Sequence, residues 1–86
     1  MPTISVFYGI IIRMYHRDHP PAHFHVFYQG NDAKIDIEKL ALMAGYLPRR
    51  ALGLVLDWAE LHQNELRVNW ALAQQRQSIN NINPLE

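Results

Sequence analysis

From Ile4 to Tyr15 the chain alternates with a period of two. Ile4, Val6, Tyr8, Ile10, Ile12 and Met14 fall on one face, and Ser5, Phe7, Gly9, Ile11, Arg13 and Tyr15 on the other. Side chains of an extended strand point alternately to opposite faces, so this run, rich in β-branched and aromatic residues, predicts β-structure. Gly9 predicts a bulge or bend that divides it. His16 to Ala22 reads as a loop, because Pro20 and Pro21 hold the backbone extended. A hairpin follows: His23 to Tyr28 and Ala33 to Glu38 flank Gly30-Asn31, a two-residue turn sequence. A turn centred there puts Val26 opposite Ile35, Phe24 opposite Ile37 and Tyr28 opposite Ala33 on an apolar face. The reverse face then pairs His25 with Asp36 and His23 with Glu38. A one-residue slip would mix the two faces.

Leu40 to Met43 reads as a short last strand, with a turn at Gly45. Pro48 suits the first position of a helix. From Arg49 the period is helical. Ala51, Leu52, Leu54, Val55, Leu56, Trp58, Ala59 and Leu61 cover more than half of the wheel, which predicts a well-buried helix. The pattern runs on through Leu66, Trp70 and Ala73. One helix from Pro48 to Arg76 would be about 40 Å long, too long for this domain, so a break is expected near His62-Gln63-Asn64. Trp58 and Trp70 both stand at core spacing. Residues 1–77 form a single domain in this reading, and 78–86 a polar, loosely docked tail. The expected class is α+β: a small antiparallel sheet of three or four strands, packed on one face by two C-terminal helices.

Composition narrows the picture further. The 86 residues are 49% hydrophobic and 19% charged, as in a folded domain rather than a disordered chain. Eight basic and eight acidic residues give zero net charge, which removes a broad basic surface as an argument for nucleic acid. Without cysteine there is no disulfide and no thiolate metal site. No apolar run has the length of a membrane span, and the N-terminus lacks a secretory pattern. A cytoplasmic location with no membrane partner is the expectation.

The candidate chemistry lies in His19-Pro20-Pro21-Ala22-His23-Phe24-His25, which holds three of the five histidines. His23 and His25 share one strand face. With Asp36 or Glu38, the set His19, His23 and His25 supplies the nitrogen and oxygen donors that a zinc-type divalent metal accepts. The same residues suit metal-free RNA cleavage: His23 and His25 as acid and base, Asp36 beside them, and Arg13 or Arg17 on the phosphate. A third reading is assembly, because Phe7, Ile11, Tyr15 and Phe27 make the second face unusually apolar for a solvated sheet. The expected partner is a second copy or another small protein. The plain alternative is that the histidines pair with carboxylates across the hairpin. Arg49-Arg50 at the helix start reads as solvated, and His62 as a cap or core-edge residue.

Met1-Pro2-Thr3-Ile4-Ser5, Gly9-Ile10-x-Ile12-Arg13-Met14-Tyr15, Asp18-His19, Pro21 and His23-Phe24-His25-Val26 carry a resemblance. So do Ile35-Asp36-Ile37, Leu47-Pro48-Arg49-Arg50-Ala51 and Trp58-Ala59-x-Leu61-His62. Together they resemble a bacterial family of small proteins classed as a domain of unknown function, numbered in the four-thousand-one-hundreds. Ala22 departs from its pattern, which places a second proline directly before the His. Phe27 stands where a polar or acidic residue is common. The resemblance implies a gene pair similar to toxin–antitoxin modules. The expected function is therefore a partner-binding component of such a module that contacts or cleaves RNA through its His/carboxylate face, the alternative being a metal-binding protein or enzyme.

Overall fold

The computed structural model describes residues 2–86. Five strands precede two helices: β1 Thr3–Phe7, β2 Ile10–Arg13, β3 His23–Tyr28, β4 Asn31–Asp36, β5 Ala41–Gly45, α1 Arg49–Leu61 and α2 Gln63–Gln74. The fold is α+β, as expected, with one strand more than the upper expectation. The strands lie in sequence order in one sheet, each antiparallel to the next.

The N-terminal run is two strands. Tyr8 (φ 53°) and Gly9 (φ 77°) make a two-residue turn between Phe7 and Ile10. Positive φ at both central residues matches the strand twist that a tight hairpin needs. A register shift between Thr3 and Ser5 then changes which residues face the core. Ile4, at the shift, and Phe7, beyond it, are buried, whereas Val6 is 53% exposed. Phe7 is thus a core residue and not part of a partner face, and Val6 takes the outer position.

The second hairpin also turns one residue earlier than Gly30-Asn31. Gln29 (φ 48°) and Gly30 (φ 80°) form its turn, and Tyr28 pairs with Asn31. Phe24 therefore lies opposite Ile35 and Val26 opposite Ala33. His23 faces Asp36, not Glu38, and His25 faces Lys34, not Asp36. The offset from the expected pairing is two residues, which preserves every face. Phe24, Val26, Ala33 and Ile35 are all buried, as the apolar matching required.

β5 follows the short last strand expected, and Gly45 closes it at φ 82°. A Cβ there would collide with the Asp32 carbonyl oxygen, so glycine is required. α1 buries Ala51, Val55, Trp58 and Ala59, one stripe at i, i+4, i+7 and i+8. The apolar arc is wider than the buried stripe: Leu61 is 70% exposed. The break falls at His62, whose Nδ1 lies 2.6 Å from Glu65 at the start of α2.

The C-terminal tail is held more firmly than expected. Ile82 is buried, and its amide donates to the Ile4 carbonyl. The fully buried Asn69 bonds both the amide and the carbonyl of Asn80, and the Trp58 indole donates to the Asn83 carbonyl. These bonds satisfy polar groups that would be costly to bury alone.

Phe7 and Val6 are neighbours with opposite roles, which urea unfolding separates. Phe7→Ala is expected to cost about 3–5 kcal/mol through the cavity it leaves. Val6→Thr should stay within about 0.5 kcal/mol, as at an ordinary surface position.

Candidate metal centre

His23 and His25 sit on the first and third residues of β3, alternating with the buried Phe24 and Val26, so both imidazoles leave the core face. Asp18 reaches them from the loop between β2 and β3. His23 Nε2 and His25 Nε2 lie 3.0 and 2.8 Å from the same atom, Asp18 Oδ2. The three donor atoms are all within 4.8 Å of one another. Tetrahedral metal bonds of about 2.1 Å put donors about 3.4 Å apart, so the 3.0 and 2.8 Å contacts are hydrogen-bond distances that a bound zinc-type ion would widen by about 0.5 Å.

α2 walls this cluster. The Arg17 amide donates to the Ala73 carbonyl, and Gln74 Nε2 to the Asp18 carbonyl. The Trp70 ring lies 5.4 Å from the His23 ring. Trp70 is partly buried and packs against the edge of the core as well as beside the His23 ring. Tyr15 meets the His25 ring edge-on at 4.3 Å.

The hydrogen bonds define the protons. His23 Nδ1 is 2.7 Å from the Pro21 carbonyl oxygen, which can only accept, so Nδ1 carries a hydrogen. In a neutral ring Nε2 then holds a lone pair aimed at Asp18 Oδ2. Burial alone would raise the Asp18 pKa. The His25 hydrogen bond, the His19 amide and the positive charge of both histidines together outweigh burial and hold it below the usual carboxylate range. A lone pair facing a carboxylate is repulsive, so the pair requires a positive species between them. A proton carried by either partner, or a metal ion, supplies it. A ligand histidine with its other nitrogen bonded to a backbone carbonyl is a recurring arrangement at metal sites.

The remaining candidates separate. His19 is exposed and contributes only its amide, to Asp18 Oδ1. Asp18, not His19, completes the cluster. Asp36 stands opposite His23, but its Oδ1 accepts the Glu38 and Lys39 amides at 2.8 Å each and caps the turn after β4. Glu38 is engaged by Arg67 through two 2.8 Å bonds, which hold its carboxyl below the ordinary range. Neither is a donor to the histidines. Arg13 is the β2 partner of His25, and Lys34 its β4 partner, so two cations flank this ring in the ladder. The Arg13 guanidinium lies 4.8 Å above the Phe27 ring, and its buried Nε has no partner among the described residues. Asp18 lies outside the donor set expected from the sequence, and its one sequence mark is an acid directly before His19, five residues ahead of His23.

The outer face also differs from its expected composition. Ile11 pairs with Phe27 and with Val6, giving an apolar row Val6, Ile11 and Phe27 without Phe7. Tyr15 belongs to the histidine cluster instead.

A small α+β domain with two strand histidines and a loop aspartate on one site is the class these features define. The profile of a domain of unknown function, DUF4160, matches residues 9–71. The chain belongs to that family. Comparison with curated proteins and with solved structures returns no match.

Asp18 gives an acid signature. Its pKa is lowered on folding, so the stability it contributes is present above the unfolded value near pH 3.8 and lost as pH falls through the lowered one. The urea midpoints of the protein and Asp18→Asn should differ steadily between about pH 4 and 5 and converge below that. Parallel acid limbs would contradict this assignment.

Proposed function

We propose that the domain binds one zinc-type divalent metal ion through Asp18 Oδ2, His23 Nε2 and His25 Nε2, and that this centre contacts the phosphate backbone of RNA. The observation that carries the metal reading is the shared Oδ2 together with the fixed Nδ1–H of His23, which leaves Nε2 a lone pair aimed at the carboxylate oxygen. Two imidazoles and one carboxylate suit zinc and other first-row metals. Three protein donors leave a position for water or substrate, and a bound metal lowers the pKa of such a water. Arg13 and Lys34, flanking His25, favour an anionic substrate, and Phe27 beside Arg13 offers a stacking surface.

Partner binding is a second reading, favoured by the outer-face row of exposed Val6 and half-buried Ile11 and Phe27. Its setting is a bacterial two-gene module similar to toxin–antitoxin pairs, which the family resemblance implies. A second copy or the product of the neighbouring gene would cover the row. This reading and the metal reading are compatible, since the row lies farther along β3 than the histidines. No helix among the described residues is long and apolar enough to cross a membrane.

Untagged protein titrated with Co2+ is expected to bind one equivalent, with visible absorption from nitrogen–oxygen ligation. His23→Gln, His25→Gln and Asp18→Ala should each weaken binding by about tenfold or more, and His19→Gln should not. Asp36→Ala should cost about 1–3 kcal/mol of stability through its lost turn bonds, yet bind Co2+ normally. Failure of the protein to bind Co2+ or Zn2+ at micromolar concentration would overturn the metal reading and leave the contacts of His23 and His25 with Asp18 as hydrogen bonds alone.

A further inference from the structure

On the other face and at the opposite end of the sheet from the histidines, a cavity of about 460 Å³ opens where both hairpin turns meet the start of α1. Its size falls in the range of small-molecule sites. Ile10, Pro48, Ala51 and Leu54 form an apolar floor. Tyr8 and Tyr28 stand at its sides, and Arg50 is its one charged residue among the described residues.

Three observations define the ligand chemistry. First, Tyr8 is 59% exposed and is held at the turn by a left-handed backbone, so an aromatic ring projects at the rim. The partly buried Tyr28 lies against the same turn, with Cε1 3.9 Å from where a Gly9 Cβ would be. Second, the floor is built of Ile10, Pro48, Ala51 and Leu54, whose side chains offer no hydrogen bond, so it suits an apolar body. Third, the charge is one-sided. No carboxylate lines the cavity, the first turn of α1 carries no acid, and exposed Arg50 forms no ion pair with another described residue.

We propose that this cavity binds an aromatic carboxylate, with its ring over the Ile10–Leu54 floor between Tyr8 and Tyr28 and its carboxylate on the Arg50 guanidinium. A planar guanidinium pairs a single carboxylate through two parallel hydrogen bonds. One cation in an otherwise apolar site matches a monoanion rather than a polyphosphate. Offset stacking on tyrosine rewards a flat ligand. The inference is independent of the metal centre.

The test is an amide NMR titration of the full chain with 1-naphthoate as the probe and 1-naphthylmethanol as its neutral counterpart. Saturable shifts are expected at Tyr8, Gly9, Gln29, Arg50 and Ala51. Arg50→Gln should weaken naphthoate about tenfold, the loss of one charge-assisted contact, and change the alcohol little. Leu54→Trp fills the floor and should reduce both, while the rest of its spectrum reports an intact fold. His23→Gln should leave naphthoate binding unchanged. Absence of saturation up to about 10 mM, a Kd weaker than any specific site would give, would overturn the proposal. So would naphthoate affinity that survives Arg50→Gln, or shifts centred away from the cavity.

Discussion

Trp58 is the contact on which the rest of this small domain depends. Its fully buried indole packs 5.4 Å from the Phe7 ring and 5.7 Å from the Phe24 ring, and lies 5.7 Å from His62 at the helix break. Its indole N–H donates to the Asn83 carbonyl in the tail. One side chain from α1 thus joins β1, β3, the start of α2 and the C-terminus. A tryptophan suits this place because it combines a large apolar area with one directional donor. A short chain has a modest core, so a contact shared by four elements carries unusual weight.

The site inherits its geometry from that packing. With Phe24 held under Trp58, β-strand alternation sends His23 and His25 to the other side. Nothing in the strand brings them a carboxylate. Asp18 arrives because its loop is bonded to the last turn of α2 through Ala73 and Gln74. The other end of α2 is bonded to the β4–β5 connection, through Gln63 to the Ile37 carbonyl and Arg67 to Glu38. The helix therefore spans the end of the sheet and positions the donor loop. A shift of α2 along its axis would separate Asp18 from the two imidazoles without disturbing β3.

The charged groups divide by role in the same way. Asp36 and Glu38 lie near the histidines in sequence pattern, yet both have local tasks at the β4–β5 connection. Arg13 and Lys34 bracket His25 because antiparallel pairing places one residue of each neighbouring strand beside it. A neutral chain can in this way present a cationic row on one part of a sheet.

The amino-acid order by itself determined the two classes of element, the hairpin between β3 and β4, the break at His62 and the alternation that puts both histidines on one side. Each follows from local periodicity or turn chemistry, which the chain carries wherever it packs. The structure alone decided the rest. A bulge in β1 exchanged Val6 and Phe7, because one additional residue in a strand reverses every later face. A turn at Gln29-Gly30 moved the pairing by two, which left the faces intact and changed the neighbours of both histidines. The Asp18 carboxylate reaches the histidines from a loop held by a helix more than fifty residues away. Pairing partners and loop positions depend on contacts between distant segments, and no pattern within a single strand encodes them.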